Sequence, residues 1–163
     1  MIQRIQSIFM FLAAVAMISM TFFPLWQKAD LETSRLITMN AYEVRFEQQV
    51  ENSSEMELLG ITQVIPISIG AFLAAGVMLF SIFQYRKRIT QVKLNALFSL
   101  LTAGTIVAIV LYSLKANELM TPQVRGNYLL GFYLPVFAMF NNFIANRFIR
   151  KDEALVRSAD RIR

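Results

Sequence analysis

Ten residues, Gln84-Tyr85-Arg86-Lys87-Arg88-Ile89-Thr90-Gln91-Val92-Lys93, constrain this chain more than any others. They carry four cations and no acid, and they lie between two runs, 61–83 and 94–114, that hold no charged residue. Each run is long enough to cross a bilayer as a helix, because about 20 apolar residues span a hydrocarbon core of roughly 30 Å. Cationic residues near the ends of spans are retained in the cytoplasm. The ten residues therefore read as a cytoplasmic turn between two membrane helices, and that reading orients the rest of the chain.

Composition agrees. The chain has 163 residues, enough for one domain; 56% are hydrophobic and 17% charged, against roughly a quarter charged in ordinary soluble domains. There is no cysteine, which excludes disulfides, thiolate metal sites and cysteine nucleophiles. There is no histidine, which removes the commonest general base and metal ligand.

A first apolar segment, 5–26, follows Arg4 and ends at Pro24 and Trp26, where an indole suits the membrane interface. A cleavable signal peptide is the rival reading, with Ala14-Val15-Ala16 as its small-residue site. The apolar run continues through Ile18, Phe22 and Phe23 beyond that site, which favours a span. The loop 27–60 holds seven acids and three bases. Within it Leu36-Ile37-Thr38-Met39 and Tyr42-Glu43-Val44-Arg45-Phe46 predict two strands of a β-hairpin about Asn40, the second alternating apolar and polar side chains. Residues 48–59 read as a polar, helical lead into the second span, 61–83. That span carries Pro66 early and the small pairs Gly70/Ala74 and Ala71/Ala75, which let another helix approach closely. The third, 94–114, carries Gly104/Ala108 and the hydroxyls Ser99, Thr102 and Thr105. The fourth, 128–149, carries Pro135, Asn141, Asn142 and Asn146, and a charged tail, 150–163, follows. These small-residue faces serve contacts inside the bundle or between copies, and the sequence leaves the oligomeric state open.

With both ends cytoplasmic, that side holds 11 bases and three acids, and the other side five bases and eight acids. The excess on one side accounts for the net charge of +5 as a topology signal that also attracts anionic lipid. No nucleic-acid partner is expected.

The expected fold is thus an all-α membrane protein, a bundle of four transmembrane helices with a small extracytoplasmic β-hairpin in the first loop. The expected location is the inner membrane, multi-pass, with both termini cytoplasmic and the lipid bilayer as first partner. No ionisable residue lies at mid-depth in any span, which argues against a coupled pump or transporter. No phosphate loop, nucleophile elbow or carboxylate pair marks an enzyme, so neither catalysis nor a cofactor is expected. Met10, Met17 and Met20 share part of one helix face and read as core filler rather than a soft-metal site. Glu43 and Glu47, or Glu51 and Glu55, have the spacing of a divalent-cation pair but also that of a solvated face.

Two groups remain as candidates. Asn141 and Asn142, with Thr102 and Thr105, would line a polar cavity between helices, or would bond across dry helix contacts. Arg150, Lys151, Asp152, Glu153, Arg157, Asp160 and Arg161 would form a surface that docks a membrane or cytoplasmic protein, or a solvated helix end whose ions pair among themselves. Met1-Ile2-Gln3-Arg4-Ile5-Gln6 at one end, Phe23-Pro24-Leu25-Trp26, and Ala145-Asn146-Arg147 with Ile149 through Arg163 at the other carry a resemblance. Over its full length the chain resembles the bacterial membrane proteins grouped as domain of unknown function 4293. The resemblance implies a four-helix inner-membrane protein and no activity. The leading expectation is a non-catalytic accessory or scaffold protein. The alternative is a permeation or small-molecule binding protein.

Overall fold

The computed structural model of the protein describes residues 2–30, 34–49, 56–85, 87–118 and 126–160, with side chains from Ile5 to Ala154. Four helices and five strands follow in the order α1 (Ile2–Ser19), a 3-10 turn (Met20–Phe22), β1 (Trp26–Asp30), β2 (Arg35–Met39), β3 (Glu43–Gln49), β4 (Met56–Gln63), α2 (Ile65–Phe83), α3 (Arg88–Glu118), β5 (Asn127–Tyr128) and α4 (Leu130–Asp160).

The five strands form one antiparallel sheet in the order β4-β3-β2-β1-β5. This overturns the expected all-α fold with a lone hairpin. The pairing about Asn40 is present, with Ile37 opposite Phe46 and Met39 opposite Val44, but it is the middle of a larger sheet. β1 pairs with β2, Trp26 opposite Met39, and β5 closes the edge with Tyr128 opposite Trp26. Residues 56–63, read as a helical lead and the start of a span, are the edge strand β4, paired to β3 with an irregularity at Phe46/Glu47. Gly60 and the β-branched pair Ile61-Thr62 favour that strand over a helix.

The helices differ from expectation as well. Among the described residues three are long and apolar enough to cross a membrane, within Ile5–Phe22, Ile65–Phe83 and Arg88–Glu118. α4 does not meet that measure of apolarity, because Asn141, Asn142, Asn146 and the charges from Arg147 onward dilute its run, although it packs along α1 from the sheet to the opposite end. α1 ends where Pro24 forces Phe23 into extended backbone (φ −109°, ψ 147°). α2 begins with Pro66 in its first turn, where the missing N–H is harmless. α3 takes in most of the cationic stretch, and the connection shrinks to a turn in which Lys87 N–H donates to Gln84 O at 2.9 Å.

The sheet joins the ends of the helices tightly. Leu25 N–H donates to Met39 O at 2.8 Å, Val64 N–H to Tyr42 O at 2.8 Å, and Leu129 N–H to Leu25 O at 3.0 Å. The start of α1, the α2–α3 turn and the end of α4 therefore share the opposite end of the molecule, where Phe9 stacks on Phe148 at 5.9 Å. The core runs between them through Met10, Met17, Ala71, Ala74, Met78, Phe98, Ile109 and Ala145, all buried. Gly70 lets α2 close on α3, since a Cβ there would strike Thr105 Oγ1. Phe72, Leu73, Phe80, Leu100, Val107, Leu111, Phe137, Phe140 and Phe143 point outward. A belt of that size is unfavourable in water and suits acyl chains.

Candidate functional site

The densest polar chemistry lies inside the helices, toward the end away from the sheet. Gln91, Asn95 and Ser99 recur every fourth residue on α3 and so share one face. Ser81 of α2 donates its hydroxyl to Asn95 Oδ1 at 2.8 Å. Asn95 Nδ2 donates to Asn146 Oδ1 of α4 at 3.0 Å. Asn142 Nδ2, also on α4, donates to Asn95 O at 3.0 Å and to Ser99 Oγ at 2.7 Å. Gln91 Nε2 reaches Ser81 O at 3.3 Å and Met10 Sδ of α1 at 3.4 Å. One seam of amides and hydroxyls thus ties all four helices, where each unmet polar group in an apolar surround costs about 1–3 kcal/mol. Among the described residues, two of its buried oxygens, Gln91 Oε1 and Asn142 Oδ1, have no hydrogen-bond partner, and neither has Gln6 Oε1 on α1.

The four residues read as a cavity lining do not hydrogen-bond one another. Thr102, Thr105, Asn141 and Asn142 are all buried. Asn141 Nδ2 donates to Phe137 O of its own helix at 2.8 Å, and Thr105 Oγ1 to Leu101 O of its own helix at 2.9 Å. Thr102 Oγ1 faces Met17 Sδ at 3.9 Å. Only Asn142 enters the seam. Gln6, Ser81, Gln91 and Asn95 were not among the sequence candidates. The four-residue spacing of Gln91, Asn95 and Ser99 is the signal for the α3 members, and it is masked because Gln91 falls within the cationic stretch.

The same end bears the charge. Arg88 Nη2 pairs with Asp152 Oδ2 at 2.9 Å, and its Nη1 donates to Asp152 O at 3.1 Å, clamping α3 to α4. Asp152 is therefore engaged within the molecule. Lys87, Lys93, Arg147, Arg150 and Lys151 are exposed and Glu153 is half-buried. Arg157 and Asp160 fall on the backbone of α4 with their side chains outside the described residues, and Arg161 lies outside them altogether.

At the sheet end Lys28 is almost fully buried, its Nζ donating to Asn117 Oδ1 at 2.9 Å and Asn117 O at 3.1 Å in the last turn of α3. Asp30, two residues along β1 on the same face, is buried too. Glu43 pairs with Arg45, Glu51 and Glu55 lie outside the described residues, and among the described residues no three acids gather as a metal site.

Three bilayer-length apolar helices, an outward apolar belt and a buried amide seam define the class, that of a membrane protein. The family described as Domain of unknown function (DUF4293) matches residues 2–162, nearly the whole chain, and the protein belongs to it. No curated protein matches the chain.

Proposed function

We propose that this is a multi-pass protein of the bacterial inner membrane that works without catalysis, as an accessory or scaffold protein docking a partner on its cationic end. In this reading the start of α1, the α2–α3 turn and the end of α4 face the cytoplasm, and the sheet faces outward. The carrying observation is the collar of exposed cations, Lys87, Lys93, Arg147, Arg150 and Lys151, at the end where all three chain segments meet. Cations so placed hold an orientation in the membrane, and they also steer and bind an acidic surface. The partner that fits is a membrane or cytoplasmic protein with an acidic face.

The rival, a permeation or small-molecule protein, has less support. It needs Asn141, Asn142, Thr102 and Thr105 to converge on one wet cavity, and two of the four bond their own helix instead.

The test is affinity capture from native membranes in mild detergent. The intact chain is compared with one carrying Gln at all five collar positions, which leaves the Arg88–Asp152 clamp in place. A companion held by the intact chain and lost from the variant supports the proposal. Identical companions, or none with either chain, overturn it.

A further inference from the structure

We infer that the seam between the helices is a hydration site, in which water molecules donate to Gln6 Oε1, Gln91 Oε1 and Asn142 Oδ1. These oxygens sit on three helices, α1, α3 and α4, in residues at most 3% exposed. They lie within successive helical turns. Gln6 is one turn before Met10, which touches Gln91; Asn95, whose carbonyl holds Asn142, is one turn beyond Gln91.

The amide orientations are dictated by the surroundings. Gln91 Nε2 points at Ser81 O, so turning the amide over would set oxygen against oxygen. Asn142 Nδ2 points at Asn95 O and at Ser99 Oγ, whose own proton goes to Asn95 O at 3.1 Å. Turning Asn142 would lose both bonds. The Gln91 and Asn142 oxygens are thus fixed as acceptors, and both call for a donor.

Two donors beside them are already engaged. Asn95 uses its Nδ2 on Asn146, and the Ser81 hydroxyl is directed at Asn95 Oδ1. Three neutral amide oxygens, with no carboxylate among the seam residues, do not offset the desolvation of a buried cation. Water does fit, because buried waters make about three hydrogen bonds to otherwise unmet polar groups.

The inference is tested on the full chain in lipid nanodiscs by two readings. The first is magnetisation transfer between water and the side-chain amide protons of Gln91 and Asn142. Cross-peaks with the sign of water held longer than about a nanosecond are expected, and their absence would overturn the inference. The second is the thermal midpoint of Gln6→Met, which removes an oxygen and keeps a similar length. A hydrated seam predicts a fall of about 2–8 °C. A dry seam predicts no change or a rise, because an unmet acceptor has been deleted. Exchanging sodium for potassium or choline at constant ionic strength should leave the wild-type midpoint unmoved. An ion-specific shift would assign the site to a cation and contradict the proposal.

Discussion

Replacing Lys28 with Met should loosen the sheet from the helices. The ammonium is buried, and it donates to both oxygens of Asn117 at 2.9 and 3.1 Å. Asn117 is one residue from the end of α3, where backbone carbonyls have no partner within the helix and a cation complements the helix dipole. Met fills a similar volume, so the change tests the bonds rather than the packing. Each hydrogen bond from a charged donor contributes about 1.5–3 kcal/mol, against which the relieved burial of the ammonium must be set. A net loss of about 2–4 kcal/mol follows, which for a chain of this size is a fall of about 4–16 °C in midpoint. The assay is thermal unfolding in nanodiscs followed by the fluorescence of Trp26. It is the only tryptophan, is 3% exposed, and lies two residues from Lys28 on the same face of β1. An unchanged midpoint with unchanged Trp26 emission would refute the clamp. A rise would show that desolvation of the ammonium exceeds its two bonds.

Three further outcomes are expected. Gly70→Ala should lower stability by about 1–3 kcal/mol in thermal unfolding, because its Cβ meets Thr105 Oγ1, and adding Thr105→Ala should restore most of the loss; failure of the second change to rescue would place the strain elsewhere. Asp152→Asn should cost below about 1 kcal/mol, because the pair with Arg88 is partly solvated, and high salt should erase the difference between variant and parent in thermal unfolding. Gly126→Ala should shift Trp26 emission to the red, since the added carbon overlaps the indole ring and forces it outward; unchanged emission would contradict that contact.

Hydropathy alone located α1, α2 and α3, because uncharged runs of this length leave few alternatives. The β2–β3 pair was legible because Tyr42, Val44 and Phe46 alternate with charged neighbours. β1 was hidden because two of its three inward positions are Lys28 and Asp30, the reverse of an ordinary apolar face. β4 was hidden because it is an edge strand with seven of its eight residues exposed, so its apolar side chains show no alternation, and it runs straight into α2. β5 has two residues, too few for any periodicity. The weaker apolarity of α4 comes from Asn141, Asn142 and Asn146, which its many aromatic residues mask. Two of those asparagines belong to the amide seam. Their partners Asn95 and Ser99 lie 43–51 residues away in sequence, beyond the reach of local pattern.

The central claim is that the cationic collar and the sheet lie on opposite sides of the membrane, the collar inside. The chain has no cysteine, so single cysteines can be placed without background. Lys151→Cys marks the collar and Glu57→Cys the exposed edge strand. The direct measurement is labelling with a membrane-impermeant maleimide in right-side-out vesicles. Labelling of Glu57→Cys at once, and of Lys151→Cys only after permeabilisation, is the predicted result. The reverse pattern, or both cysteines reacting from one side, would contradict the account.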